Sequence, residues 1–391
     1  MTRKTMEVGT HIFSWEPVFN DMKKFLVYWI LLFVITGCRD KMNEPVGLDE
    51  VPKNIPKPLY VGDLQADSTS NFVFAAHAGI SHRLWIGDAY SFDARVLLRF
   101  SVSDSVVLAD ADSAKVTVYV YNGLPLKSIK FNVFPVTKKW DEETVEWGKA
   151  TADSEWSKPG GDFADTVITG VVLNDTSETF TLNYDNFALF DSSNDINKGL
   201  IFVYELGDTL LSIYSSESSN KQPKLTVFYG DSSKDYAPEK DAFITNSTYD
   251  QPPGEIVLGE GFSMRALLFF NLDTIPKNVT VNRAFISFGF LPSSAHFDTV
   301  TVYLHRVTGL WNGSETEYYS SSIANFVAVK GDTALTTDVT SLLQYWINGG
   351  DNYGILLRAR NETSICSRLI LDAIEKPTLS IYYTPSPGAG E

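Results

Sequence analysis

Arg95-Val96-Leu97-Leu98-Arg99-Phe100 and Arg265-Ala266-Leu267-Leu268-Phe269-Phe270 read as two versions of one strand. Each follows a similar triplet, Ile86-Gly87-Asp88 in the first case and Leu258-Gly259-Glu260 in the second. Further along, Val136-Thr137-Lys138-Lys139-Trp140 is echoed by Val307-Thr308-Gly309-Leu310-Trp311. Lys198-Gly199-Leu200-Ile201-Phe202 is echoed by Asn352-Tyr353-Gly354-Ile355-Leu356. Each copy closes on a similar segment, Gln222 to Tyr229 and Lys376 to Tyr383. Echoes that recur in the same order imply one structural unit used twice.

Around these echoes lie short runs rich in Val, Ile, Phe, Tyr and Thr, such as Thr117 to Tyr121 and Leu225 to Tyr229, separated by Gly, Asn, Asp and Ser. Such runs read as strands, and long helical periods are absent. The expected fold is all-β: two tandem antiparallel β-sandwiches, jelly-roll-like, each with a short helix. The first sandwich is placed at 59–230, a polar linker with Pro238 at 231–239, the second sandwich at 240–384, and a Pro/Gly-rich tail at 385–391. In the second copy Asp338 can cap a helix from about Val339 to Asn348, with Leu342, Leu343 and Trp346 on one face and Gly349-Gly350 as its stop. In the first, Asp185 to Phe190 occupies the matching place.

Before the first sandwich the chain changes character. Lys23-Lys24 precede an apolar run from Phe25 to Thr36, about a dozen residues, where a bilayer core needs about 20. The run ends at Ile35-Thr36-Gly37-Cys38. Charge, apolar run, small residue and cysteine in that order resemble the lipobox of bacterial lipoproteins, in which the thiol is acylated before cleavage. The resemblance implies lipid attachment at Cys38; residues 1–21 fit no signal pattern, so translation is expected to start at Met22, with residues 1–38 read as an upstream extension plus signal peptide. Residues 39–58, with Pro45, Pro52, Pro56 and Pro58, read as a flexible tether. The implied location is the bacterial cell envelope, on the outer membrane or cell surface.

The net charge of −16 argues against nucleic acid as a partner. With lipid on Cys38, Cys366 would have no partner within the chain, so this is not a disulfide scaffold. Cys366 lies in an alternating apolar stretch and reads as a small core residue.

Two further segments, Ala114-Lys115-Val116-Thr117-Val118-Tyr119 and Trp140-Asp141-Glu142-Glu143-Thr144-Val145-Glu146-Trp147, join the Arg95-to-Phe100 strand in a wider pattern. Together with Asp338-Val339-Thr340 to Gly349 and Asn352 to Leu357, they resemble DNRLRE-type modules, β-sandwiches related to a disaggregatase family. The resemblance covers 59–230 and 240–384, and domain two departs from it after Trp311. It implies modules that accompany secreted polysaccharide-active proteins, some of which bind carbohydrate.

No catalytic constellation stands out. There is no Gly-X-Ser-X-Gly elbow and no phosphate-binding loop. Asp141, Glu142, Glu143 and Glu146 are dense enough to hold a glycosidase pair, but neighbouring acids on a β-type loop are expected to point apart into water. No cofactor is expected; a structural calcium could use acids such as Asp88 and Asp93. Trp156, in a polar loop with little strand character, is the leading candidate for stacking on a sugar, followed by Tyr318 and Tyr319. The favoured reading is a non-catalytic, carbohydrate-binding or adhesive envelope lipoprotein. A structural or assembly lipoprotein that binds another envelope protein is the alternative, and a polysaccharide-active enzyme is the third.

Overall fold

The computed structural model describes residues 57–74, 78–103, 105–121, 128–182, 187–206, 208–253, 255–261, 263–291, 299–372 and 376–386. Cys38, the segment before it and nearly all of the 39–58 tether lie outside the described residues, as does the tail from 387. Among the described residues no helix is long and apolar enough to cross a membrane.

The chain begins with β1 (Leu59–Gln65) and β2 (Ser68–Val73), followed by β3 (Arg83–Ala89), β4 (Phe92–Phe100), β5 (Ala111–Tyr119) and β6 (Ile129–Pro135). Next come β7 (Lys149–Thr151), β8 (Ser154–Glu155), β9 (Thr169–Leu173), β10 (Ser177–Thr181), β11 (Leu200–Leu206), β12 (Thr209–Tyr214) and β13 (Lys224–Tyr229). Then follow β14 (Ser232–Tyr236), β15 (Pro238–Ser247), β16 (Ile256–Glu260), β17 (Met264–Phe269), β18 (Thr280–Gly289) and β19 (Thr299–Arg306). The last are β20 (Ala324–Val329), β21 (Ala334–Asp338), β22 (Ile355–Ala359), β23 (Ser367–Leu371) and β24 (Thr378–Thr384). Two helices, α1 (Ser105–Ala109) and α2 (Thr340–Ile347), sit among them.

These strands build two sandwiches of one design. In the first, sheet β10-β5-β13-β14 packs on β4-β11-β6-β9, with β15 beside β4 and the ribbon β3–β12 running off β4. In the second, sheet β1-β24-β18-β21 packs on β2-β17-β22-β19-β20, with β16–β23 as the ribbon. All these pairings are antiparallel.

The repeated Arg strand is apolar at consecutive positions because both its faces are covered. In β4, Val96, Leu98 and Phe100 enter the main core, while Leu97 faces a smaller cluster with Trp140, Trp156 and Ile201. In β17, Ala266 and Leu268 enter the main core and Leu267 faces a cluster with Val307 and Leu356. Gly199 and Gly354 sit at the same place beside these strands with φ of +92° and +95°. A Cβ at either would run into the backbone carbonyl of Leu98 or Leu268.

The expected boundary at 231–239 is corrected. Gly230-Asp231 make a tight turn, and β14 pairs back on β13 from Tyr229↔Ser232 to Leu225↔Tyr236. β15 then lies along the whole of β4, from Pro238↔Phe100 to Ser247↔Phe92. Residues 59–73 do the same for the other sandwich: β1 pairs with β24, and β2 with β17. Each sandwich is thus closed by a strand pair that lies beyond the repeat it completes. The register is equivalent, since Lys240 faces Arg99 as Ser68 faces Phe269. β14 reads as a linker because it is an exposed edge strand, Ser-Ser-Lys-Asp-Tyr, and polar residues with a nearby Pro are how edges avoid further pairing.

Helix α2 forms where expected, with Leu342, Leu343 and Trp346 buried and the Thr340 amide donating to Asp338 Oδ1 at 2.8 Å. The first copy differs. A 3-10 turn, Phe187–Phe190, stands in the matching place and buries Leu189 and Phe190. Asp185 and Asn186 lie outside the described residues.

Side chains at the ribbons join the two sandwiches. Trp85 Nε1 donates to Ser364 O at 3.0 Å, and the Arg368 guanidinium lies over Phe92 and Tyr249 while donating to Tyr90 O at 3.1 Å. Cys366 is fully buried against the first sandwich's core, and burial pushes its thiol well up.

Candidate functional site

The outer face of β1-β24-β18-β21 carries a run of aromatic side chains. In-out alternation buries Leu379, Ile381 and Tyr383 and turns Tyr382 outward. The same alternation turns Tyr60 and Phe285 to that face, because Tyr60 is the register partner of Tyr382, and Tyr382 and Ser380 pair with Arg283 and Phe285. Tyr60 and Tyr382 have ring centroids 4.7 Å apart, and Tyr382 and Phe285 6.3 Å apart. Tyr60 is 54 % exposed and Tyr382 38 %. The Arg283 guanidinium lies 5.4 Å from the Phe285 ring. A groove of about 550 Å³ runs between Arg283, Phe285, Thr336, Asp338 and Tyr382. This is an aromatic strip of tilted rings with Arg283, Thr336 and Asp338 at its rim. Its signal in the sequence is a Tyr or Phe at the outward position of a strand whose inward positions are aliphatic.

Trp156 is corrected from ligand platform to scaffold. It is 4 % exposed and packs with Leu97, Trp140 and Val145. Its Nε1 donates to Glu146 O at 2.9 Å. The polar loop around it reads as exposed, but it folds over the indole because that indole fills the space beneath β4 and β15. A groove of about 540 Å³ does follow this loop, lined by residues that include Lys138, Lys158, Asp162 and Phe163, and the indole is not among them.

Tyr318 is half-buried, 5.2 Å from His305 and 5.7 Å from the Arg265 guanidinium, so it too is packed. Tyr319 is 51 % exposed, and Arg306 lies between it and Tyr345, 5.6 Å and 4.5 Å from the two rings. Beneath them, the buried His305 takes the Arg358 Nε hydrogen bond at 3.2 Å on Nε2 and contacts Tyr319 O through Nδ1 at 3.0 Å. Burial holds its pKa below the ordinary histidine value, with Arg358 and Arg265 adding to the effect.

The acids sort differently from the expectation. Asp88 and Asp93 are cross-strand neighbours, and Asp93 is 3.5 Å from Arg95. Burial raises the Asp93 pKa, Arg95 opposes that, and Asp88 adds to it. Of the Trp140-to-Trp147 acids, Asp141 Oδ1 accepts from Glu143 N and Thr144 Oγ1, and Glu146 faces Lys149 at 3.6 Å. Glu142 turns inward, against the expectation that these acids all face water. Its Oε1 accepts the Asp241 amide at 2.8 Å, and it lies with Glu217 and Asp241 in one group. Burial, reinforced by Glu217 and Glu142, pushes Asp241 up to about 7.

No family model matches the chain, and no curated relative does. Three solved structures align loosely. The CBM22 tandem domain of Paenibacillus barcinonensis Xyn10C is 10 % identical, over 80 % of this chain and 99 % of that one, with a TM-score of 0.16. The C-terminal domain of the AgI/II polypeptide BspA of Streptococcus agalactiae is 10 % identical, over 82 % and 92 %, with a TM-score of 0.16. Procruciferin, an 11S globulin of Brassica napus, is 8 % identical, over 85 % and 86 %, with a TM-score of 0.11. Alignments this loose carry no functional argument.

Proposed function

We propose that this chain is a lipid-anchored protein of the bacterial envelope that binds polysaccharide, without catalysis, on the outer face of β1-β24-β18-β21. The observation that carries the reading is the exposed run Tyr60–Tyr382–Phe285 with Arg283 and Asp338 beside it. Sugar rings lay their C–H faces on aromatic rings, and charged or hydroxyl groups at the rim fix the sugar hydroxyls. A run that crosses three strands suits an extended chain better than a single sugar. Among the described residues lining this groove, Asp338 is the one acid, whereas a glycosidase uses a pair. Acylation of Cys38, placement on the outer membrane or cell surface, and membership of the DNRLRE-type modules belong to the same proposal.

A second reading, binding of another envelope protein, is favoured by one feature. Leu310 is 83 % exposed beside Trp311, Tyr353 and Phe269, on a groove of about 610 Å³.

A polysaccharide array probed with wild type and Tyr382→Ala tests the first reading. The substitution should weaken retention about tenfold, since one stacked ring contributes about 1 kcal/mol or more beyond its buried area. Stability should change little, because the ring is on the surface. Equal retention of both proteins would sink the aromatic face. Capture of an envelope protein with no glycan retained would favour the second reading. Acyl labelling of Cys38→Ser tests the anchor; the label should vanish, and a labelled mutant would remove that part of the proposal.

A further inference from the structure

We propose that Glu142, Glu217 and Asp241 bind one calcium ion, which fastens β15 to the first sandwich. One carboxylate oxygen from each residue lies within 4.8 Å of the other two. Oxygens held by one calcium at about 2.3–2.6 Å can be no more than about 5 Å apart, so the spacing fits a shared ion. The three carboxylates come from separate segments: the turn after Trp140, the loop after β12, and β15 itself.

Proximity of acids would not be enough alone. Asp241 adds an independent observation, since its side chain is fully buried and its Oδ1 has no hydrogen-bond partner. Its Oδ2 accepts the Ser216 amide at 2.6 Å. A buried carboxylate oxygen without a donor is costly, and a bound cation removes that cost. The basic side chain of β15, Lys240, is paired with Asp141 at 3.7 Å and acts on Glu142 only at longer range. Glu217 is exposed, which leaves the group open to solvent on one side.

The donor set selects the metal. It is all oxygen, with no thiol or imidazole, so a hard cation is favoured over zinc or copper. Carboxylates from three loosely related segments suit the irregular shell of calcium better than the strict octahedron of magnesium. Backbone carbonyls and water would complete the shell. Among the described residues the second sandwich shows no such group, and the position equivalent to Asp241 is Thr69 on β2.

The occupant's task follows from the location. β15 is the strand that reaches the first sandwich from beyond its repeat, and Asp241 is buried where it meets β4 opposite Leu98. Three carboxylates without a cation repel one another across this seam. One calcium converts that repulsion into a cross-link between the strand and two loops.

The test uses the full chain, stripped with EDTA, in thermal melts and calorimetric titration with CaCl2 and, separately, MgCl2. Calcium should bind with a Kd of about 1 mM or tighter and raise the melting temperature. Magnesium should bind more weakly. Asp241→Asn and Glu217→Gln should each weaken calcium binding about tenfold or more. Glu217→Gln, at an exposed position, should fold without calcium and keeps the test open if Asp241→Asn does not fold. Absence of calcium heat and of any calcium-dependent melting shift in wild type would overturn the site. So would a calcium response that survives in Glu217→Gln at full strength. A wild-type protein that ignores calcium but gains stability as pH falls would mean the carboxylates share a proton instead, and would also overturn it.

Discussion

The corner beside Trp140 in the first sandwich and the corner beside Trp311 in the second are built on the same bonds and present opposite surfaces. Trp140 Nε1 donates to Lys198 O at 2.8 Å, and Trp311 Nε1 to Tyr353 O at 2.7 Å. Asn197 Nδ2 donates to Phe100 O and Asn352 Nδ2 to Phe270 O, both at 3.0 Å. Around this shared frame the first sandwich carries Arg99, Lys139, Lys198 and Lys240, and the second carries Phe269, Leu310, Tyr353 and Ser68 at the equivalent positions. The basic corner is held by acids, with Lys198 2.6 Å from Asp195, Lys240 3.7 Å from Asp141 and Arg99 3.8 Å from Glu239. The apolar corner leaves Leu310 to solvent. Residues that satisfy buried backbone groups are therefore the ones that repeat, because every such group needs a partner in both copies. Residues that face the surface are free to diverge.

The sheet faces divide in the same way. Tyr382 and Phe285 in the second sandwich correspond to Phe228 and Lys115 in the first, where the Lys115 ammonium lies 5.0 Å from the Phe228 ring. Tyr60 on β1 corresponds to Ser233 on β14. One face is an aromatic strip and the other is mixed and charged. β1 adds Tyr60 beside Tyr382, so the strand exchange extends the strip by one ring.

The largest effect that could break this comparison is on folding. If the closing strands are exchanged, a fragment of residues 57–230 keeps β1 and β2, whose partners it lacks, and loses β14 and β15, which its own core needs. It should unfold without cooperativity and be cleaved rapidly by protease. A fragment of residues 78–253 keeps β3 to β15 and should unfold in one transition, since a sandwich of that size can bury a sufficient core. A cooperative 57–230 fragment with an unfolded 78–253 fragment would show that each repeat closes on its own first strands.

The architecture was legible in the sequence where local pattern and tertiary role agree. The Arg95-to-Phe100 and Arg265-to-Phe270 strands, the α2 helix and the repeated closing strands announce themselves by period and echo. The exchange was not legible, because β14-β15 and β1-β2 hold equivalent registers, each in the sandwich it closes, and only contacts between distant residues decide which one they join. The site was less visible still. Trp156 stands out in the sequence because its neighbours are polar, yet those neighbours are the lid of its own pocket. Tyr60, Phe285 and Tyr382 do not stand out, because an aromatic residue in a strand looks like core until the sheet fixes which way it points. Glu142 reads as one of a run of acids, although its partners Glu217 and Asp241 lie 75 and 99 residues further along by their numbering.

The first residue of the repeated strand sharpens the comparison energetically. Arg265 forms a bidentate pair with Glu362, both contacts at 2.8 Å, and Ser263 Oγ donates to the same carboxylate at 2.8 Å. Arg358 reaches Glu362 at 3.2 Å, and the Arg265 guanidinium lies 3.4 Å from the Phe74 ring centroid. Both partners are nearly fully buried, with side-chain exposures of 5 % and 6 %. Arg95 has the same place in the first sandwich but a different setting. Its Nη1 donates to Gly160 O at 2.7 Å, its guanidinium lies 4.7 Å from Trp147, and its carboxylate contact is Asp93 at 3.5 Å, with side chains 18 % and 29 % exposed. Removing one partner from a buried pair leaves the other charged and desolvated, whereas a pair that keeps more exposure and a longer contact loses less. Glu362→Ala should therefore cost about 3–5 kcal/mol. Asp93→Ala should cost less, about 1 kcal/mol, because its contact is longer and Gly160 O still serves Arg95. Urea unfolding of both variants, at unchanged m-value, makes the comparison. Equal costs would mean that the second arginine is no more dependent on its carboxylate than the first, and that the burial of the Glu362 pair does not set the difference between the two sandwiches.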